Sequence, residues 1–198
     1  MFERPAPKGA RIAILGWGSL LWSASPAFDV QHGPWENDGP VLPLEFSRAS
    51  QRWSGALTLV IDPEHGVPAP VAHALSRRTQ LDDVVGDLRT REATNHANIG
   101  FLLADGSRHQ ARDERCLDVI RTWARAKSLD SVVWTDLGSN FADHWGEDFG
   151  VDSAVEYLRM LNDEGRAQAV QYVRRAPRFI DTPLRRALES EAWFQSES

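Results

Sequence analysis

A chain of 198 residues that is 42% hydrophobic and 25% charged, with eight tryptophans, is long enough to bury a sizeable core as one domain, residues 1–198. Its net charge of −6 argues against nucleic acid or an anionic membrane surface as a partner, because either selects a basic face. One cysteine excludes an internal disulfide framework and points to a reducing, cytoplasmic setting.

Residues 1–8 are charged and carry two prolines, and the apolar stretch 12–22 is broken by glycines and too short to cross a membrane. Within it, residues 12–15 read as a buried strand ending at Gly16. Residues 23–43 read as loop, punctuated by Pro26, Pro34, Pro40 and Pro43. Residues 44–47, 56–62 and 71–75 read as strands, with a turn over 63–66. Thr79 is placed to cap a helix in which Leu81, Val84, Val85 and Leu88 fall at i, i+3, i+4 and i+7. Residues 99–103 read as a strand and 113–127 as a helix with Cys116, Val119, Ile120 and Trp123 on one face. A strand over 131–137 precedes helical stretches near 153–163, 166–175 and 183–193. Strands come first with few helices between them, which predicts an α+β fold rather than a doubly wound parallel sheet.

The bend Gly16-Trp17-Gly18-Ser19-Leu20-Leu21 follows the first strand as a nucleotide loop would. It fails as a dinucleotide fingerprint, since Leu21 stands where the third glycine belongs and the proline-rich loop leaves no helix to meet a pyrophosphate. No Gly-Lys-Ser/Thr follows, and G-x-S-x-G would need glycine at 17 and 21. Two readings remain: a small nest of backbone N–H groups for a carboxylate, with the Ser19 hydroxyl beside it, or a tight connection and nothing more.

Continued by arithmetic, the stripe of the first long helix reaches Glu92 at i+11. A carboxylate there is opposed by the helix C-terminus and by partial burial, both of which raise its pKa toward a value that suits a general base. The alternative is a helix that ends early, with Glu92 in solvent or paired to Arg89 or Arg91.

Other candidates read more simply as structure. Cys116 lies on an apolar stripe, the six histidines lack metal-ligand spacing, and Asp143, His144, Glu147 and Asp148 read as an exposed acidic loop, so no metal is expected. Arg48 and Arg52 suit either a substrate carboxylate or a solvated strand edge. Trp123, Trp134 and Trp145 read as core or loop anchors. Arg174, Arg175, Arg178, Arg185 and Arg186 read as solvated helix faces.

Taken in order, Trp17-Gly18-Ser19-Leu20-Leu21-Trp22, then 44–52 (LEFSRASQR), 55–60 (GALTLV) and Leu88-Arg89-Thr90-Arg91-Glu92 resemble the γ-glutamylcyclotransferase superfamily, in its ChaC-like branch. The resemblance covers roughly residues 12–103, a cyclotransferase-like core, and leaves 104–198 as a strand plus a mainly helical extension. Trp17 stands where the family has tyrosine, and 93–98 (ATNHAN) replace the Gly-Gly-Tyr that often follows the catalytic glutamate.

The resemblance implies a small mixed-strand β-barrel flanked by helices. It implies an enzyme that converts a small γ-glutamyl compound, glutathione being one candidate, to 5-oxoproline and a free amine without any cofactor. Glu92 is then the general acid/base, and Trp17, Gly18, Ser19 and Leu20 hold the glutamyl unit. The alternatives are a non-catalytic binding or regulatory module on the same fold, and an amide-cleaving enzyme that uses water. The sequence leaves the oligomeric state open.

Overall fold

A computed structural model describes residues 9–196 of the chain; the charged segment 1–8 and residues 197–198 lie outside the described residues. The architecture is mixed α+β, with strands in two sheets. The first has the order β5 (Ala72–Leu75), β1 (Ile12–Gly16), β8 (Ser131–Thr135), β6 (Ile99–Leu103) and β7 (His109–Gln110). Among the described residues only β1 and β8 pair in parallel, with Ile12 opposite Ser131 and Ile14 opposite Val133. The second sheet has β2 (Val41–Ala49) between β3 (Leu57–Ile61) and β4 (Val67–Pro70).

Strand alternation sorts the apolar side chains onto two faces. Ile12, Ile14, Ile99, Phe101 and Val133 pack against Val84, Val85 and Leu88 of α2 (Leu81–Arg91). Ala13, Leu15, Leu102, Val132 and Trp134 face the second, larger core. That core joins Leu44, Phe46 and Leu57 of the second sheet to Leu117 and Ile120 of α3 (Glu114–Ala126). It continues through Leu158 of α5 (Val151–Met160), Val170 and Tyr172 of α6 (Asp163–Arg175), Leu184 of α7 (Pro183–Glu189) and Phe194 of α8 (Ala192–Ser196). Each such Leu, Ile or Phe withdrawn from water contributes about 1.5–3 kcal/mol. The C-terminal helices therefore share one core with the first strand.

Several expected boundaries shift. The 23–43 loop contains a one-turn helix, α1 (Pro26–Asp29), because proline at the first helical position costs no hydrogen bond there. Thr79 does not cap α2; Gln80 stands at the N-cap with no side-chain bond. β4 went unread because of Pro68 and Pro70, which an edge strand tolerates. The acidic loop begins in a short helix, α4 (Phe141–Trp145). The last helical stretch breaks at Ser190 and Glu191 into α7 and α8. Among the described residues no helix is long and apolar enough to cross a membrane.

Glu45 is fully buried in β2. Burial pushes its pKa up, as does the charge of Asp62, against the Thr182 hydroxyl and the amides of Phe46 and Leu184 that favour the charged form. With the folded pKa above the unfolded one, the folded state binds the extra proton, and this contribution to stability is lost as pH rises from the ordinary glutamate range upward. Glu45→Gln, an isostere of the protonated acid, is expected to raise the thermal midpoint by a few degrees at pH 8 and to change it little at pH 4.5. Unfolding curves at the two pH values check this.

Candidate active site

The bend after β1 is shaped by two glycines. A Cβ at Gly16 would press into the Trp35 ring, and Gly18 has φ +62°, in the left-handed region. A Cβ at Gly18 would also collide with the Tyr172 hydroxyl. From Gly18 the chain forms a single 3-10 turn to Leu21, with no side chain capping it. The Ser19 carbonyl accepts from the amides of Trp22 (3.3 Å) and Ser23 (2.8 Å), whereas no main-chain carbonyl among the described residues accepts the N–H of Gly18 or Ser19. Gly18→Ala combines a strained φ with a steric clash. It is expected to cost about 1–3 kcal/mol, read as a lower midpoint in chemical denaturation with unchanged slope.

The end of α2 is fastened to this bend by Arg91. Its side chain is 1% exposed. Its Nη2 donates to the carbonyls of Ser19 (3.3 Å) and Ser23 (2.9 Å). The next residue, Glu92, is the C-cap of α2, its amide bonded to Leu88 O at 2.9 Å, and Ala93 turns the chain away at φ +48°. Helix geometry therefore delivers the Glu92 carboxylate to the neighbourhood of the bend.

Glu92 and five residues at the end of β1 and in the bend, Leu15, Gly16, Trp17, Ser19 and Leu20, line one cavity of about 120 Å³, whereas Gly18 is not part of its lining. At the roughly 30 Å³ that one water takes up, that is room for about four waters, the scale of one amino acid unit and far below a dinucleotide. The far wall comes from Arg48, Ser50, Thr58, Leu59, Arg52 and Trp53, and Tyr172 closes it. The Glu92 side chain is 19% exposed. Burial raises its pKa, opposed by the positive charges of Arg91, 3.7 Å away, and of Arg52. The shift expected from sequence is present, and burial is its main cause.

The four bend residues differ in what they offer. The Trp17 indole is buried and donates to the Leu59 carbonyl at 3.1 Å, so its ring is engaged in the core. Leu20 packs with Phe28 and Val84. Ser19 contributes a hydroxyl to the cavity, and Gly18 sets the turn behind it rather than lining it.

Arg48 and Arg52 both reach the cavity, the first half-buried and the second at the exposed rim. Arg48 donates to Gly138 O (2.8 Å) and Arg52 to Arg91 O (3.3 Å). Among the described residues neither forms an ion pair. Burial and the charge of Arg112 make the protonated form of Arg48 less favourable than usual. Two guanidinium groups without carboxylate partners leave the cavity receptive to an anionic ligand.

A cleft of about 280 Å³ holds Cys116, Asp62 and Asp136. The Cys116 thiol is pushed up to about 12 by burial and by Asp113, so it is inert at neutral pH. Asp62 accepts from Ser47 Oγ at 2.7 Å and Asp136 from Arg112 N at 2.7 Å. Glu36, Asp38 and His73 converge, but Lys127 already pairs with Asp38 there. Asp143, His144, Glu147 and Asp148 are exposed. Trp134 is core, and Trp123 anchors Asp38 O at 2.9 Å. Arg185 is a correction to the sequence reading: it is buried rather than solvated.

Sequence reasoning missed Tyr172 and the fastening role of Arg91. The signal for Tyr172 was available, because it is the one hydroxyl on an apolar stripe of Gly165, Ala169, Val173 and Ala176 at helical spacing. Comparison of the chain with known protein families and with curated proteins finds no match.

Proposed function

We propose that this chain is an enzyme of the γ-glutamylcyclotransferase type, converting a small γ-glutamyl compound to 5-oxoproline and a free amine. One observation carries the reading: a partly buried glutamate of raised pKa opens into the same small cavity as an uncapped glycine bend. A small mixed-strand barrel belongs to the same proposal, with β1 and β8 on one side of the cavity and β2 and β3 on the other.

The chemistry suits these groups. The α-nitrogen of the glutamyl unit attacks its own γ-carbonyl carbon, a five-membered ring closes, and the bond to the departing nitrogen breaks. The nucleophile is already tethered, so the ring closure draws on a large effective molarity. On balance the α-ammonium gives up two protons and the departing nitrogen gains two. A single carboxylate that takes and returns protons accomplishes this, and Glu92 is that carboxylate. The Ser19 hydroxyl holds the glutamyl unit at the bend, and Arg48 and Arg52 supply the charge for its α-carboxylate.

The test is a panel of γ-glutamyl amines, amino acids and peptides scored by mass spectrometry for 5-oxoproline. Release from at least one member is the expected outcome. Binding without product indicates a non-catalytic module, and glutamate in place of 5-oxoproline indicates hydrolysis.

A further inference from the structure

We propose that the Tyr172 hydroxyl donates a hydrogen bond to an oxygen of the ligand held at the Gly18–Ser19 bend, which makes helix α6 part of the site. The inference rests on the γ-glutamyl reading of the cavity.

Tyr172 is 3% exposed, yet it lines the same cavity as Glu92 and Ser19. Its oxygen lies against Gly18, and beside it stand the amides of Ser19 and Leu59 and the Ser19 hydroxyl. The amides can only donate, and the Ser19 hydroxyl likewise favours the ionised phenol, as a donor to it does, so all three sit on the acceptor side of the phenol and leave its own proton for an acceptor in the cavity. Among the described residues neither nearby carbonyl accepts the Tyr172 O–H, and both already take other donors. Leu59 O accepts from the Trp17 indole, and Ser19 O accepts from Trp22, Ser23 and Arg91. An O–H of this kind, sunk into a cavity wall, is costly unless something in the cavity accepts it.

The ring cannot swing away to find another partner. Trp53, Trp22 and Phe46 hold it edge-on at centroid distances of 5.2, 5.7 and 6.2 Å. Burial also keeps the phenol protonated far above neutral pH, so it acts as a donor and not as a base.

The experiment compares wild type with Tyr172→Phe, which removes one oxygen and leaves the ring. The Kd for 5-oxoproline by calorimetry is expected to weaken about tenfold, the size of one hydrogen bond to a ligand. The kcat/KM on the best compound of the panel is expected to fall by at least as much, with the thermal midpoint nearly unchanged. Unchanged Kd and kcat/KM in a folded Tyr172→Phe protein overturn the role of Tyr172 alone. A wild-type protein that neither binds nor releases 5-oxoproline overturns the proposed function and this inference with it. If the Phe variant does not fold, 3-fluorotyrosine at position 172 keeps the ring and strengthens the donor. Tighter 5-oxoproline binding then supports the proposal, and an unaltered Kd overturns it.

Discussion

Glu92→Gln is expected to lower 5-oxoproline release at least a hundredfold, within the roughly 10²–10⁴ range of general acid–base catalysis, while the protein stays folded and still binds ligand. The substitution keeps the size of the side chain and removes only its ability to take and return a proton. Stability should rise slightly if it changes, because burial already disfavours the charged carboxylate. In the wild type, the raised pKa sets a second expectation. A general base works only when ionised, so the acid limb of the kcat/KM profile should lie above the ordinary glutamate value of 4.5. That limb should be absent from any residual activity of the Gln variant. Steady-state rates across a pH series, with binding followed by calorimetry, check both points.

Arg185→Leu is expected to destabilise the protein by about 3–5 kcal/mol, as loss of a buried cation that satisfies four main-chain carbonyls does. Helix α6 ends at Arg175, where its last carbonyls lose their helical partners. Arg185 reaches back from α7 and donates to Val173 O (2.6 Å), Ala176 O (3.0 Å), Pro177 O (2.7 Å) and Ile180 O (2.6 Å). It also lies over the Phe46 ring at 5.4 Å. Leucine fills much of the space but leaves those carbonyls unsatisfied in an apolar surrounding. At about 2–4 °C per kcal/mol for a chain of this size, the thermal midpoint should fall on the order of 10 °C. Arg186→Leu is the control. Arg186 is exposed and, among the described residues, its side chain bonds only to Asp181, so it should shift stability by less than about 0.5 kcal/mol. The pair separates a clamp from a solvated charge one residue away.

These two arginines show where the sequence was legible and where it was not. An arginine in a helix reads as a solvated face, because its burial depends on a helix end brought in by tertiary folding, and no local pattern records that. The stripe of α2 was legible because side chains three and four residues apart must share a face whatever the rest of the chain does. The same arithmetic placed Glu92 at the end of that face. It could not supply the cavity wall opposite, which is assembled from β2, β3 and α6 across separations of tens of residues. The strand β4 was masked by two prolines, whose compatibility depends on its being an edge. Thr79 looked like a cap from its spacing alone, yet the helix starts one residue later. The bend after β1 was legible as a glycine-determined turn, since Gly18 takes a left-handed φ there, and its ring-bearing neighbour, Trp17, is engaged in the core.

A glutamyl unit must fit between the carboxylate at the end of α2 and the bend at the end of β1, with Arg91 holding the two together. The most direct measurement is a crystal structure of the Glu92→Gln protein with an uncleaved γ-glutamyl compound. The expected result is density in the cavity with the glutamyl α-nitrogen within hydrogen-bond reach of the residue 92 side chain. The opposite end of that unit should touch Ser19. A ligand seated elsewhere, or one in this cavity whose amino group faces away from residue 92, contradicts the account.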